Sequence, residues 1–127
     1  MDRRIHIGII VLAVFAVFGL SNANGQNHWE KTFGGSAGDA ARSVKQTTDG
    51  GFIIAGLTES FGAGGWDVYL IKTDVDGNDL WNKTFGGSDH DYGYSAQQTA
   101  DGGFIIAGWT YSFGAGESDV YLIKTDS

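Results

Sequence analysis

The sequence has no cysteine, no proline and a single methionine, and its 8 Lys and Arg face 15 Asp and Glu. Without cysteine there is no disulfide framework, no thiolate zinc site, no cysteine nucleophile and no lipidated cysteine. A formal net charge of −7 leaves neither a basic stripe for nucleic acid nor a polybasic patch for a membrane surface. Glycine, by contrast, is abundant at 21 of 127 residues, without a collagen-like period and beside 13% aromatics. That balance argues against a helical bundle and a disordered linker and for a turn-rich β protein of one domain.

The N-terminus carries an address. Arg3 and Arg4 precede a nearly unbroken apolar run from Ile7 to Leu20, followed by Ser21-Asn22-Ala23. The run is 14 residues long, whereas a membrane-spanning helix needs roughly 20. Residues 1–23 therefore read as a secretory signal peptide with cleavage after Ala23; the alternative is an uncleaved anchor extended back to Ile5. The mature chain would be acidic, with no stable membrane span. It is expected outside the cell or at its surface, or in a periplasm.

Comparing the chain with itself decides the organisation. Trp29-Glu30-Lys31-Thr32-Phe33-Gly34-Gly35-Ser36 returns as Trp81-Asn82-Lys83-Thr84-Phe85-Gly86-Gly87-Ser88, a period of 52 residues. Gly50 to Gly56 returns as Gly102 to Gly108, and Asp67 to Asp74 as Asp119 to Asp126, with no insertion. From Trp29/Trp81 to Val75/Ser127, 33 of 47 aligned pairs are identical. The chain thus divides into a signal peptide (1–23), a short linker (24–28), a first repeat (29–80) and a second (81–127).

Each repeat has the periodicity of strands and no helical stretch. Four are expected per repeat: Ala41 to Thr47, Phe52 to Thr58, Asp67 to Thr73 and Leu80 to Phe85, joined by Asp49-Gly50-Gly51, the Ser60 to Gly65 loop and Asp74 to Asn78. Phe-Ile-Ile-Ala and Val-Tyr-Leu-Ile are apolar on both faces, which an antiparallel strand needs only when something packs on each side. The fold class expected is all-β, with two four-stranded antiparallel propeller-blade repeats. The motifs Trp-x-Lys-Thr-Phe-Gly-Gly-Ser, Asp-Gly-Gly-Phe-Ile-Ile-Ala-Gly and Asp-Val-Tyr-Leu-Ile-Lys-Thr-Asp resemble the glycine-rich propeller-type repeats of secreted and surface proteins of bacteria and archaea. Asp74 to Trp81 is also similar to the turn-plus-tryptophan motif of quinoprotein-like propellers, one residue shorter between Asp and Gly. That resemblance implies blade docking and no quinone cofactor.

A closed propeller takes four to eight blades, and this chain supplies strands for two. It begins with a fourth-strand sequence, Trp29 to Phe33, so eight strands are expected in the order four, one, two, three, twice over. Isolated blades would expose an apolar face at each end. Other blades are therefore expected partners, through self-association or a longer chain, as are proteins or glycans at the cell surface.

Candidate chemistry lies in three places. Asp74, Asp76 and Asn78 have the alternating oxygens of the first half of a calcium loop, but Gly77 sits at the fourth position and Phe85 at the twelfth, so a hairpin turn is the favoured reading. Asp67 and Asp119 precede the third strand in each copy, where a carboxylate accepting backbone N–H bonds would fix the loop; the rival is a ring of carboxylates around a channel. The copies differ most where the second turns aromatic: Tyr92, Tyr94, Trp109 and Tyr111 replace Ala40, Arg42, Leu57 and Glu59. With Asp89 and His90, the tyrosines Tyr92 and Tyr94 offer a carbohydrate platform, since sugar rings stack on aromatic faces. Trp109, in phase with Ile105 and Ala107, is read as interblade packing. The function expected is a non-catalytic interaction scaffold, with a lectin-like module and a fragment of a propeller enzyme as the alternatives.

Overall fold

The computed structural model describes residues 28–127. The segment read as a signal peptide lies outside them. Seven strands follow one another: β1 (Asp39–Gln46), β2 (Phe52–Thr58), β3 (Asp67–Thr73), β4 (Asp79–Phe85), β5 (Asp91–Gln98), β6 (Phe104–Thr110) and β7 (Asp119–Thr125). They form two antiparallel sheets, β1-β2-β3-β4 and β5-β6-β7, each in sequence order. The fold is all-β, as expected, but the second sheet has three strands. No described helix is long and apolar enough to cross a membrane.

Local chemistry explains the meander. At the first hairpin Gly50 takes a φ of 85°, a region open to glycine without a Cβ penalty. Its N–H reaches Thr47 O at 2.9 Å, and Asp49 Oδ1 accepts the Gly51 N–H at 3.0 Å. The second repeat builds the same turn with Gly102 and Asp101. β2 and β3 pair without a break from Phe52↔Thr73 to Thr58↔Asp67. Between β1 and β2 the register shifts between Ala41 and Ser43, and between β5 and β6 it shifts between Gly93 and Ser95. These β-bulges leave Arg42 and Tyr94 without cross-strand partners. β1 begins at Asp39, which pairs with Thr58, and not at Ala41, because the pairing runs on beyond the bulge that breaks the period-two alternation.

The sheets stack face to face. The back of the first, carrying Ile53, Ala55, Val68 and Leu70, packs on the front of the second, carrying Ala96, Phe104, Ile106 and Ile123. Trp81 and Phe85 of β4 complete this core, Trp81 meeting Phe104 with ring centroids 5.6 Å apart. β4 belongs to the second copy by sequence and to the first sheet by pairing, so the sequence repeat and the structural unit are offset by one strand.

Trp29 to Phe33 was expected as an eighth strand, and it is not one. The segment lies over the front of the first sheet, where Trp29 packs on Phe52 at 6.0 Å and shares a cavity with Phe33, Val44, Ile54 and Ile71. The first sheet stands between it and β7, an edge strand whose outer side has no neighbour among the described residues, so the two do not meet within the described chain.

Candidate functional site

The loops at the β2–β3 and β6–β7 ends of the two sheets bring most of the polar chemistry together. Asp39 Oδ2 accepts the Gly35 N–H at 2.9 Å and the Ser60 hydroxyl at 2.8 Å, while Thr58 donates to Oδ1. Burial pushes the Asp39 carboxyl up, but the bonds from Thr58, Gly35 and Ser60 outweigh it and hold the pKa below the usual value. Asp91 repeats the arrangement with Gly87 and Ser112 at 2.9 and 2.6 Å. Asp67 Oδ2 accepts the N–H groups of Ala63 and Gly64 at 3.0 and 3.3 Å, and Asp119 accepts that of Ala115 at 2.8 Å. These bonds are the loop-fixing role expected of both aspartates.

At the boundary between the sheets the two carboxylates come close. Asp67 and Asp91 are 1% and 0% exposed, and each leaves its Oδ1 buried without a hydrogen-bond partner. Burial raises the Asp67 pKa, and the charge of Asp91 adds to the rise. Gly86 makes this approach sterically accessible: a Cβ there would lie 2.0 Å from Asp67 Oδ1 and 2.7 Å from Asp91 Oδ2.

The aromatic residues singled out by the copy comparison gather on the back of the second sheet. Tyr92, paired with Trp109, stacks on it at 5.1 Å, and His90, Tyr94 and Tyr111 extend the run at centroid separations of 5.5 to 6.2 Å. His90 is pinned by the Trp66 N–H, which donates to Nδ1 at 3.0 Å, and Asp89 Oδ1 is engaged by the His90 N–H at 2.8 Å. The Arg42 guanidinium lies 5.8 Å over the Tyr94 ring. Burial, then the neighbouring Tyr111, raises the Tyr92 hydroxyl pKa. Trp109, which the sequence points to as interblade packing, stands at the centre of the aromatic run. Arg42 and Trp66 were not singled out, although both are mismatches between the copies, against Tyr94 and Ser118.

Asp74, Asp76 and Asn78 form a turn closed on itself. Asp74 Oδ1 accepts the N–H groups of Asp76 and Asn78 at 2.9 and 2.8 Å, and the Asn78 amide donates to Oδ2 at 2.8 Å. Those bonds, the Asn78 amide foremost, hold the Asp74 carboxyl below its usual range. Both oxygens thus serve the turn. Among the described residues no group of three or more His, Asp or Glu is placed to hold a metal ion.

Compared with protein-family models and with curated proteins, the chain gives no match to either.

Proposed function

We propose that the chain is a non-catalytic, exported repeat module of propeller-blade type that works as an interaction scaffold at the cell surface or outside the cell. One observation carries this reading. Val68 and Leu70 are 0% exposed between the sheets, whereas their counterparts Val120 and Leu122 on the back of the second sheet are 85% and 63% exposed. Likewise Ala96 is 1% exposed and its counterpart Val44, on the front of the first sheet, is 61%. Apolar surface of this kind marks an interface. The polar groups support a non-catalytic role, because Asp39, Asp91, Ser60, Ser112 and His90 are each engaged in holding loops.

Export is tested by fractionating cells and sequencing the N-terminus of the recovered protein. A mature chain beginning at Asn24 outside the cytoplasm is expected; an intact Met1 in the cytosol overturns it.

The aromatic run favours a second reading, a lectin-like module in which Tyr92, Tyr94 and Trp109 stack on sugar rings while Asp89 accepts hydroxyl protons. Glycan-array binding by the chain, abolished by Trp109→Ala, supports that reading. An array on which no sugar is retained sinks it.

A further inference from the structure

From the free edge of β7 and the unpaired segment Trp29 to Phe33, we infer that copies of this chain join head to tail, that segment of one copy adding as the fourth strand to the second sheet of the next. The inference deepens the scaffold reading and rests on it for the claim that the free faces are interfaces.

The molecule contains its own template for this contact. Within one chain, β4 pairs with β3 in the register Val68↔Phe85, Leu70↔Lys83 and Lys72↔Trp81, and Trp81 and Phe85 then pack on the second sheet. Trp29-Glu30-Lys31-Thr32-Phe33 differs from Trp81-Asn82-Lys83-Thr84-Phe85 at one position, and β7 has the sequence of β3. Trp29 already sits on Phe52 as Trp81 sits on Phe104. What the segment lacks is the rest of its sheet. An exposed strand edge carries a row of unpaired N–H and C=O groups that accept another strand. Transferring the internal register gives Val120↔Phe33, Leu122↔Lys31 and Lys124↔Trp29 between copies.

The same step covers both apolar faces. Val120 and Leu122 of the copy that receives the strand would descend onto Val44 and Ile54 of the copy that supplies it, where a cavity of about 390 Å³ is open beside Trp29 and Phe33. Asp119 would come beside Asp39 and Gly34, as Asp67 comes beside Asp91 and Gly86. Gly34 leaves room beside Asp39, since a Cβ there would lie 2.3 Å from Asp39 Oδ2. Four departures add volume on the mating faces. Tyr92 and Trp109 stand where the first sheet has Ala40 and Leu57, and Ala41 and Val44 stand where the second has Gly93 and Ala96, so the sheets of successive copies stand farther apart there than within one chain. Contacts of this heterologous kind close into a ring or run on as an open chain, according to the rotation they impose.

A chain without cysteine allows a direct test in the full-length protein. The double variant Lys31→Cys/Leu122→Cys should form disulfide-linked multimers on mild oxidation, because facing positions in an antiparallel pair lie within disulfide reach; each single variant can give at most a dimer. Adjacent residues of a strand direct their N–H groups to opposite sides, so Lys31→Pro/Thr32→Pro removes one donor from the new ladder whichever its phase. That variant should reduce the solution mass by light scattering to that of a single chain, with the circular dichroism of the sheets unchanged. Absence of cross-linked multimers, or an unchanged mass in the proline variant, overturns the inference. An uncross-linked chain at the cell surface would leave the scaffold reading standing, whereas a cross-linked chain confined to the cytosol would support the docking and remove the reading beneath it.

Discussion

The two sheets of this protein are nearly the same sequence in two environments. β3 and β7 share all seven residues, yet every residue of β3 is buried and only Ile123 and Thr125 of β7 are. The difference comes from neighbours and not from the residues themselves. β3 has a strand on either side and a sheet on its back, while among the described residues β7 has β6 alone. Apolar patterning on both faces of a strand is thus a statement about what must cover it, and for β7 the described residues supply only part of that cover.

The sharpest way to break this comparison is to truncate the same leucine in each strand. Leu70→Ala should cost about 3 kcal/mol of stability, the range for a leucine removed from a packed core. Leu122→Ala in the monomeric proline variant should cost less than about 1 kcal/mol, because little buried area is lost. Denaturant titrations of the two variants measure both values. Equal losses would mean that β7 is covered as β3 is.

Next in size is the close approach of the sheets at Gly93. A Cβ there would lie 2.9 Å from Gly56 O and from Val68 Cγ1, so Gly93→Ala should destabilise by about 1–3 kcal/mol through overpacking. The counterpart change, Ala41→Gly on the open front of the first sheet, should cost about 0.5–1 kcal/mol from backbone entropy alone. Thermal unfolding of both separates steric from entropic losses.

Asp67 gives a pH signature confined to the boundary between the sheets. Its folded pKa is raised, so the native state binds the extra proton and stability falls as pH rises from the unfolded value of 3.8 through the raised one. Asp67→Asn should therefore be more stable than the parent at pH 7 and should lose that advantage toward pH 4. The amide oxygen still accepts the Ala63 and Gly64 N–H groups. Stability curves of both proteins that run parallel across this window would assign the cost of the site to something other than Asp67.

How much of this was legible in the sequence follows from where each signal resides. β2 and β3 coincide with their expected bounds to the residue, since alternation, glycine turns and apolar content all agree there. The bulges at Arg42 and Tyr94 hid the starts of β1 and β5, because one extra residue reverses the alternation that marks a strand. The three strands of the second set are legible in the order of the repeats, whereas the state of Trp29 to Phe33 is hidden for a different reason. Trp29 to Phe33 has a strand's sequence, but a strand exists only with a partner, and pairing is a property of assembly. At the candidate site, mismatches between copies pointed to Tyr92 and Tyr94. The same comparison contained Trp66 and Arg42, which act by reaching across to the other sheet, a relation invisible in a one-dimensional alignment.

The smallest expected effect tests whether the repeats differ even where their polar chemistry is identical. Lys72 and Lys124 donate to Asp49 and Asp101, each at 2.8 Å, but the Lys72 side chain is 6% exposed and that of Lys124 is 44%. The lysine bond, with Thr47 or Thr99 and a turn N–H, depresses both carboxyl pKa values. Each bond therefore supports the fold above pH 3.8 and loses that support as the pH falls through the depressed value. Asp49→Asn strands a buried ammonium with only Thr73 O as acceptor, so it should lower Tm at pH 7 more than Asp101→Asn, whose lysine returns to water. If a second copy docks as inferred, Lys124 becomes the buried member of a new boundary. The gap between the two variants should then narrow in the assembled protein and reopen in the Lys31→Pro/Thr32→Pro background.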